Sequence, residues 1–457
     1  MEEITQTAIL GAGITGLCIA HGLQQSGEKF DIIESAKAVG GPMQSTQKDG
    51  FLAENGPNSI LLKDQRVSDF LETIGLSGPA LLEARSEAKK RFIVDDGALC
   101  PMPSHPLGIF SCSLFSFRSI LRLLREPLVA RYKKQGDETL ADFITRRLGA
   151  EILSNAAAPF VNGIYAGDPS QLSVRHAFPR LWKLEQEHRS LLLGMLAARR
   201  KKTTDSSSST RTISFPSGLS TLPTAVAEKL PQESMQLGCN VTEITPRDQG
   251  WHITWTAPDG STRSADYARL VITVPHHRLS KLPLPSQIID ELKPVSAIES
   301  PPVTSLVLGF KREQVEHPLD GFGMLIKETE QSPLLGVLFS SSMFEGRAPD
   351  NCVTLTCMMG GTKHPEYAEN EDSVVLAELR RLLGVNGEPI FRHRTSWEHA
   401  IPQYNLDYQN ALDALEACEL KHPGLHFAGN YRGGISVTDC IINGLHLGQS
   451  LKSKEHL

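Results

Sequence analysis

A glycine-rich turn between a predicted strand and a predicted helix lies near the start of this 457-residue chain. The run at 8–17 reads Ala-Ile-Leu-Gly-Ala-Gly-Ile-Thr-Gly-Leu. In such a turn Gly11 permits a tight change of direction, Gly13 lets the backbone approach a pyrophosphate, and Gly16 lets the helix pack closely on the sheet. Because a strand precedes the glycines and a helix follows them, the pattern favours a dinucleotide site over a glycine-rich turn with no ligand.

A second predicted strand supports this interpretation. The apolar stretch at 30–33 ends on Glu34, where an acid can accept hydrogen bonds from ribose hydroxyls. The N-terminus of the first helix would face the phosphates of such a ligand. An acid at this position disfavours a 2′-phosphate, so we expect FAD or NAD rather than NADP.

The composition is that of a globular protein with two or three domains. The chain has a mass of 50.0 kDa, 40% hydrophobic residues and 21% charged residues. A net charge of −6 gives no global reason to bind nucleic acid, and no apolar run approaches the length needed to span a bilayer. The acidic start, Met1-Glu2-Glu3, leads us to expect no signal peptide.

The eight cysteines are scattered and form no Cys-x-x-Cys pair. This pattern is typical of reduced thiols in a cytosolic protein and predicts neither a disulfide framework nor a metal site. Cys440 has two interpretations: it could carry a flavin covalently, or it could be a small buried residue on a helix. We favour the second.

Strand and helix patterns alternate along the chain, which predicts interleaved domains. The run at 90–99 predicts a strand, a turn and a second strand. Further strands are predicted at 240–244, 251–255, 269–275, 305–310, 336–339 and 425–430. Residues 110–200 have helical periodicity, and the polar run at 201–210 predicts a flexible surface loop. A strand, a glycine turn and a helix recur near the C-terminus, so we expect both ends of the chain to meet at one ligand.

Motifs spread along the chain carry a family resemblance. The fingerprint with Glu34, the Gly40-Gly41 pair, the turn at 55–59 and the motif at 428–434 resemble the monoamine-oxidase-like flavoprotein superfamily. Within it the chain resembles, almost end to end, the oxygen-dependent protoporphyrinogen oxidases of haem and chlorophyll synthesis. The discriminating motifs lie at 90–93, 159–169, 178–185 and 338–344, the last followed by Arg-Ala-Pro at 347–349.

The chain departs from the superfamily pattern on either side of the Gly-Gly pair. An arginine usually precedes this pair and a basic or polar residue often follows it, whereas this chain has Val39 and Pro42. We therefore expect FAD to be held by fewer charged contacts than usual, with backbone amides supplying most of the binding.

The resemblance implies a fold of class α/β + α+β, in which a Rossmann-type FAD-binding domain is interleaved with a mixed-sheet substrate domain and an α-helical membrane-associating domain. The FAD-binding domain is expected at 1–84, 236–276 and 397–457. The substrate-binding domain is expected at 85–96, 211–235 and 277–396, and the helical domain at 97–210.

The activity implied by the resemblance is the FAD-dependent, oxygen-dependent six-electron oxidation of protoporphyrinogen IX to protoporphyrin IX, with release of hydrogen peroxide. Coproporphyrinogen III, with two propionates in place of two vinyl groups, is the alternative substrate. Rival activities are those of a flavin amine oxidase, a carotenoid desaturase, or a protein in which FAD is structural or serves an isomerase-like reaction. With 6% aromatic residues we find no clear cage for an amine. Because the cofactor does the hard step, we expect apolar walls and few acid–base groups.

The resemblance also assigns site residues, with FAD bound non-covalently and with neither a metal nor a certain catalytic side chain. The expected cofactor-binding residues are Gly11, Ala12, Gly13, Ile14, Thr15, Gly16, Glu34, Gly40, Gly41, Gly56, Pro57, Asn58, Ser59, Val241, Gly429, Asn430, Ile435, Ser436 and Val437. The expected substrate-binding residues are Arg91, Asn58, Gly163, Ala166, Leu325 and Phe344. Leu325 and Phe344 would sandwich or edge the macrocycle, whereas the pattern alone would make both core residues.

Arg91 is expected to recognise a substrate propionate, because a guanidinium binds carboxylates in a planar, bidentate way. The resemblance to the plant enzymes places Arg91 at their propionate-binding arginine. The alternative is a solvated basic cluster with Lys89 and Lys90. One cation beside an apolar wall favours the two-propionate substrate; Arg175 and Lys183 cannot be placed from the sequence.

A basic amphipathic helix is predicted around Arg118, Arg122 and Arg125, whose spacing returns them to one face. Lys133 and Lys134 follow. In an acidic protein this pattern is typical of contact with anionic membrane headgroups, or else of an ordinary surface helix. Together with the resemblance, it predicts a cytoplasmic protein bound peripherally to the cytoplasmic membrane. The expected partners are the porphyrinogen and O2, with a homodimer and product transfer to ferrochelatase as further expectations.

Overall fold

The computed structural model describes residues 5–103, 108, 112–132, 136–202 and 210–451. Lys133, Lys134 and most of the predicted polar loop at 201–210 lie outside these residues.

The strands within the described residues are β1 (Thr5–Leu10), β2 (Phe30–Glu34), β3 (Ser45–Lys48), β4 (Phe51–Glu54), β5 (Ile60–Leu62), β6 (Leu82–Glu83), β7 (Arg91–Asp95), β8 (Ala98–Pro101), β9 (Arg211–Ser214), β10 (Met235–Leu237), β11 (Asn240–Arg247), β12 (Gly250–Thr256), β13 (Thr262–Ile272), β14 (Val303–Lys311), β15 (Gly323–Ile326), β16 (Leu334–Leu338), β17 (Cys352–Gly360), β18 (Phe391–Trp397) and β19 (Leu425–Phe427).

The α-helices are α1 (Ile14–Gln25), α2 (Gln65–Thr73), α3 (Phe117–Leu124), α4 (Leu140–Arg147), α5 (Ala150–Ile152), α6 (Ala158–Tyr165), α7 (Val174–Ala177), α8 (Pro179–His188), α9 (Leu191–Lys202), α10 (Thr221–Glu228), α11 (Ser286–Glu291), α12 (Lys293–Ser296), α13 (Ser340–Met343), α14 (Asp372–Leu383), α15 (Tyr408–Lys421) and α16 (Val437–Ser450). The predicted strands, including the pair at 90–99, are confirmed with small shifts at their ends.

The first sheet is the predicted nucleotide-binding sheet. Its strand order is β10-β2-β1-β13-β12-β11, with β19 beside β13. β1 pairs in parallel with β2 and β13, and β19 pairs in parallel with β13. β11, β12 and β13 form an antiparallel meander whose last strand returns to the centre of the sheet. Strands from the two ends of the chain, β1 and β19, therefore pair with the same strand, β13.

Two helices from opposite ends of the chain pack closely on this sheet. Cβ atoms added at Gly444 and Gly448 of α16 would meet the carbonyl oxygens of Thr15 and Ile19 in α1. The register shows that α1 and α16 run in the same direction. Glycines at these contacts let the two backbones approach closely. Because the helices run in the same direction, both N-termini lie at the same end of the sheet.

The second sheet has the order β18-β14-β17-β16-β15-β7-β8. All its pairs are antiparallel except β7 with β15. One face of the sheet packs against α14 in an apolar core that includes Leu306, Leu308, Met324, Val337, Cys357, Val375 and Leu379. The opposite face turns towards the segment that follows β4, because Trp397 Nε1 donates to the carbonyl oxygen of Asn55 at 2.7 Å.

Packing corrects three expected boundaries. In the segment 211–235, β9 pairs with β5 and β6, and Leu222 and Val226 of α10 lie in the core around α1 rather than in the substrate domain. The segment 277–296 also packs with the first sheet, through Leu279 and Val295. β8, expected in the helical domain, is an edge strand of the second sheet. Local patterns identify an apolar face but not the sheet that it will cover.

The helical region, α3 to α9, has its own core and a buried ionic network. Arg147 is fully buried; its Nε donates to Glu185 at 2.6 Å and its Nη1 donates to Glu126 at 3.2 Å. Arg146 joins the network through Glu185 at 2.9 Å and also pairs with Glu138 at 2.6 Å. No helix in the described ranges is long and apolar enough to cross a bilayer.

The prediction of a basic face on α3 is wrong for one of its three arginines. The Arg122 guanidinium turns inward and donates to the carbonyl oxygens of Arg146 and Arg147 at the end of α4, where a cation is favoured by the helix dipole. Arg118 and Arg125 remain exposed, together with four large apolar side chains of α3 and the following turn: Phe117, Leu121, Leu124 and Leu128.

Candidate functional site

The glycine motif forms the turn between β1 and α1. Gly11 has φ +111°, and its amide donates to the carbonyl oxygen of Ile33 at 2.9 Å. A Cβ at Gly16 would overlap the Gly11 carbonyl oxygen, whereas a Cβ at Gly13 would meet no atom within 4 Å. Gly13 therefore borders open space at the N-terminus of α1, which no side chain caps. A phosphate can approach the free amides there.

Glu34 ends β2 beside this turn. One carboxylate oxygen accepts the Ala12 amide at 2.7 Å, and the other accepts the Ala36 amide at 2.7 Å. The oxygen that accepts the Ala36 amide also accepts the Ser35 hydroxyl at 3.2 Å, whereas the oxygen that accepts the Ala12 amide keeps a second lone pair that can accept a ribose hydroxyl. The Cys239 amide donates to the Glu34 carbonyl oxygen at 2.8 Å, which brings the start of β11, with Val241, alongside the end of β2.

The Gly-Gly pair and the turn at 56–59 complete this side of the site. The Gly40 amide donates to the carbonyl oxygen of Ala12 at 2.8 Å. A Cβ at Gly41 would lie 3.7 Å from the Gly13 Cα. A Cβ at Gly56 would overlap the Pro42 carbonyl oxygen, so the turn that continues through Pro57, Asn58 and Ser59 packs directly on the segment after the Gly-Gly pair.

The C-terminal motif closes the site from α16. Ser436 caps this helix, because its hydroxyl accepts the Asp439 amide at 3.1 Å. The Thr438 hydroxyl donates to the carbonyl oxygen of Leu61 at 2.9 Å, which ties the start of α16, with Ile435 and Val437, to the strand that follows Ser59. Gly429 and Asn430 lie in the loop between β19 and α16.

These residues fit a bound FAD. Two helix N-termini, an acid at the end of β2 and a glycine turn with open space at Gly13 supply the groups that a dinucleotide requires. Cys440 is buried in the α1–α16 interface, and burial raises the pKa of its thiol to about 11. A thiol that stays protonated at neutral pH is a poor nucleophile, in line with the favoured interpretation of Cys440.

Thr273 is a site residue that sequence reasoning missed. Its hydroxyl donates to the carbonyl oxygen of Leu10 at 2.9 Å, and a Cβ at Gly11 would lie 2.7 Å from that hydroxyl oxygen. Thr273 therefore holds the end of β1 in place behind the glycine turn. The sequence feature that could have indicated Thr273 is its place as a hydroxyl residue directly after the apolar end of β13.

Part of the face of the second sheet that turns towards the cofactor cradle is apolar. Gly336 lies opposite both Leu325 and Met358, and Gly323 lies opposite Leu338. Residues directly opposite each other share a face, so half-buried Leu325, Leu338 and Met358 form one surface, here called the wall. Sequence reasoning placed Leu325 here but missed Leu338 and Met358, because their face depends on register between distant strands.

Helix α6 lies against the wall at Gly163. A Cβ added there would come within 2.5 Å of Leu325 Cδ2. Two half-exposed side chains lie on the same side of the helix: Phe160, three residues before Gly163, and Ile164, one residue after it. Ala166 ends α6 with φ +49°, and its carbonyl oxygen accepts the Thr362 amide at 2.8 Å. Asn58 belongs to the cofactor side, since its amide donates to the Gly56 carbonyl oxygen at 3.2 Å.

Arg91 and Lys90 have different environments. Lys90 pairs with Asp320. Arg91 lies opposite Gly323 at the end of the wall, with its guanidinium carbon 5.1 Å from the centre of the Phe322 ring. Within the described residues no carboxylate pairs with Arg91. Of the two, Arg91 is therefore the one free to bind an anion.

Phe344 lies elsewhere than expected. Its side chain is 1% exposed in a small core cluster with Ala88 and Met343. The Arg347 guanidinium carbon lies 5.4 Å from its ring centre. This environment leaves no ring face open to a substrate. This position agrees with the sequence pattern alone, which makes Phe344 a core residue, and not with the resemblance, which placed the ring at the macrocycle.

The end of the wall opposite Arg91 carries cations that are already paired. Lys327 pairs with Asp95, and Lys363 pairs with Glu328 at 2.5 Å and lies 3.8 Å from Asp168. Lys327 is four residues along the strand from Gly323, which corresponds to about 13 Å. The wall thus has an unpaired cation at one end and neutralised cations at the other.

Comparisons with known proteins agree with this architecture. The family model described as flavin containing amine oxidoreductase matches residues 14–446. A mitochondrial protoporphyrinogen oxidase of Nicotiana tabacum is 30% identical, over 96% of this chain and 93% of that protein. A coproporphyrinogen III oxidase of Bacillus subtilis (strain 168) is 27% identical, over 95% of each. A solved structure from Exiguobacterium sp. 255-15 superposes with a TM-score of 0.82 at 22% identity, over 98% of this chain and 99% of that chain. The chain therefore belongs to the flavin-containing amine oxidoreductase family and is a flavin-dependent oxidoreductase.

Proposed function

We propose that this chain binds FAD non-covalently and oxidises protoporphyrinogen IX to protoporphyrin IX with dioxygen. The observation that carries the proposal is an unpaired arginine, Arg91, at one end of an apolar wall that faces the cofactor cradle. Relatives named for porphyrinogen oxidation match almost the whole chain.

The proposed division of labour follows from the side chains available. When bound, FAD would supply the hydride acceptor and the route for electrons to dioxygen. Leu325, Leu338 and Met358 exclude water and give the macrocycle an apolar surface. His393 lies on the same face, but its Nε2 contacts the Asn55 amide oxygen at 2.8 Å and burial lowers its pKa. This neutral histidine positions the turn at 55–59 rather than transferring protons.

The charges at the two ends of the wall favour two propionates over four. Arg91 can bind a carboxylate in a bidentate way. At the opposite end, Lys327 and Lys363 are neutralised by carboxylates, so two further propionates would meet Glu328 and Asp168 as well as the lysines. Coproporphyrinogen III remains the second candidate because the Bacillus subtilis relative carries that name.

Steady-state kinetics with both porphyrinogens tests the proposal. FAD-loaded protein would be mixed with each substrate in air, and porphyrin fluorescence would report the product. We expect a higher kcat/KM for protoporphyrinogen IX. A higher value for coproporphyrinogen III would reverse the substrate assignment, and no fluorescence from either substrate would refute porphyrinogen oxidation.

Acid precipitation tests the non-covalent mode of binding. We expect the yellow flavin to appear in the supernatant as FAD, because the thiol of Cys440 is buried and protonated. Flavin retained in the pellet of wild-type protein but released from Cys440→Ala would show a covalent link at that residue.

We also propose that the helical region attaches the protein to a membrane surface. Phe117 and Leu128 are 73% and 86% exposed, and Leu121 and Leu124 are exposed between them. Glu126 accepts the Leu191 amide at 2.9 Å, which brings the start of α9, with exposed Leu193 and Leu196, to the same region. A contiguous apolar surface of this kind is typical of membrane or protein contacts.

A further inference from the structure

The loop that carries Gly429 and Asn430 has little conformational preference of its own. Gly433 and Gly434 have φ values of +82° and +128°, which lie in the region that favours glycine. A chain with three glycines in six residues loses much backbone entropy when it is fixed. Contacts from outside the loop must therefore hold it in the conformation that faces the flavin.

Two buried tyrosines supply such contacts. The Tyr404 hydroxyl donates to the carbonyl oxygen of Asn430 at 2.6 Å and accepts the Gly434 amide at 3.1 Å, so one oxygen bridges both ends of the loop. The Tyr408 hydroxyl donates to the carbonyl oxygen of Tyr431 at 2.8 Å. The two rings stack with their centres 4.1 Å apart and an interplanar angle of 15°.

The same tyrosine is also joined to the helical region. The Ser173 amide, at the start of α7, donates to the Tyr404 carbonyl oxygen at 2.8 Å. The adjacent Gln403 side chain donates to the carbonyl oxygen of Tyr165 at 2.8 Å, at the end of the helix that contacts the wall. Tyr404 is 1% exposed, and burial raises the pKa of its hydroxyl well above the usual value, so the proton that it donates stays in place.

We propose that Tyr404, supported by Tyr408, is a positioning residue that fixes the flavin-facing loop at 429–434 and links it to the helix beside the substrate wall. This proposal rests on the proposed FAD site but not on the identity of the substrate. Removing the hydroxyl strands the Gly434 amide and the Asn430 carbonyl oxygen, and the loop then samples other conformations.

Tyr404→Phe tests the proposal because it removes one oxygen and keeps the stacked ring. We expect FAD to bind about tenfold more weakly, the visible flavin spectrum and reduction potential to change, and kcat to fall with KM for the porphyrinogen unchanged. Tyr165→Phe is the matched control: it removes a buried hydroxyl from the same aromatic cluster, where the hydroxyl donates to the Ala177 carbonyl oxygen at 3.1 Å and does not touch the loop.

The outcomes separate positioning from general stability. A wild-type FAD affinity, flavin spectrum and reduction potential in Tyr404→Phe would overturn the proposal. Equal changes in Tyr404→Phe and Tyr165→Phe would also overturn it, because they would reflect lost packing alone. The flavin measurements need no porphyrinogen. If the protein binds FAD but does not oxidise porphyrinogens, the proposed substrate is refuted and the test of Tyr404 still holds.

Discussion

At the scale of single residues, the substrate assignment depends most on Arg91. If its guanidinium binds a propionate, Arg91→Ala should lower kcat/KM for protoporphyrinogen IX at least tenfold while FAD stays bound and is reoxidised normally. Truncating one member of a desolvated charge pair costs about 2–5 kcal/mol, and a partly solvated site places the loss near the lower end. Arg91→Lys should recover only part of the activity, because an ammonium cannot reproduce bidentate geometry.

Lys90→Ala is the matched control for this prediction. It removes the neighbouring cation, which pairs with Asp320 instead of facing the wall. We expect its kcat/KM to change by less than about twofold, in line with the small energies of exposed ion pairs. Equal losses in the Arg91 and Lys90 variants would identify a general effect of positive charge, and the substrate assignment would then rest on family membership alone.

Glu34 gives a second prediction at this scale. Glu34→Gln keeps the shape of the side chain but removes the charge that accepts ribose hydroxyls and the Ala12 and Ala36 amides. A charge-assisted hydrogen bond contributes about 1.5–3 kcal/mol, so FAD affinity should fall by roughly one to two orders of magnitude. Fluorescence titration of the apoprotein with FAD measures this, with Glu72→Gln on the exposed side of α2 as control. An unchanged affinity would show that Glu34 is not the ribose ligand.

The structure brings the expected cofactor residues together around one turn, whereas it adds to the wall two residues that the sequence did not indicate. Glycine positions depend on local geometry: the open space at Gly13 follows from the turn between one strand and one helix. Leu338 and Met358 share a face with Leu325 only through pairing across β15, β16 and β17, which no local pattern records. For Phe344 the pattern alone predicts the buried position that the structure shows, and it was the resemblance that placed the ring at the macrocycle.

At the scale of secondary-structure elements, the turn after β13 should make stability depend on pH. His276 and His277 are adjacent, and the His277 ring stacks on His399 with the ring centres 4.4 Å apart. Burial, followed by the charges of neighbouring histidines, lowers the pKa of both His276 and His277 to about 4. The unfolded chain takes up protons first as the pH falls below about 6.5. The free energy of unfolding should therefore decrease between pH 6.5 and pH 4.

Denaturant unfolding of wild type and of His277→Phe over this pH range tests the prediction. Phenylalanine keeps a ring beside His399 but cannot take up a proton, so the dependence on pH should weaken. His364→Phe is a suitable control, because His364 also stacks on an aromatic ring, that of Tyr367, but is exposed. Parallel curves for wild type and His277→Phe would show that these histidines do not set the acid sensitivity.

The helical elements illustrate how tertiary contacts override a sequence pattern. Arg118, Arg122 and Arg125 do lie at helical spacing, yet Arg122 is used to bind the carbonyl groups at the end of α4. Arg118 and Arg125 stay exposed, but beside large apolar side chains. The sequence thus identified the element and its position correctly, but the character of its free surface depended on a neighbouring helix that the periodicity of α3 does not reveal.

At the scale of the whole molecule, contacts from the second sheet hold one short turn, at 55–59, that borders the cofactor cradle. The Asn55 carbonyl oxygen accepts Trp397 Nε1 at 2.7 Å, and the Asn55 side-chain oxygen contacts His393 Nε2 at 2.8 Å. Both contacts come from β18 of the second sheet. A turn that borders the cofactor cradle is therefore held against the sheet that carries the wall, which suits a reaction in which substrate and flavin must be held in contact.

The last prediction concerns attachment of the whole molecule to membranes. If the apolar surface of the helical region inserts at the headgroup level, purified protein should co-sediment with lipid vesicles, and more strongly when the lipids are anionic, because Arg118 and Arg125 are exposed beside the apolar side chains. Replacing Leu128 by serine should weaken binding to both kinds of vesicle, since this side chain is 86% exposed. Circular dichroism would confirm that the variant is folded.

Leu420→Ser provides a closely matched control for this experiment. Leu420 is 85% exposed on α15, outside the helical region, so the two substitutions remove the same side chain with the same exposure from different surfaces. We expect Leu420→Ser to bind vesicles like wild type. If both variants bind like wild type, or if both lose binding equally, the surface formed by α3 and its following turn is not the membrane contact, and its exposed leucines would then be candidates for a protein interface.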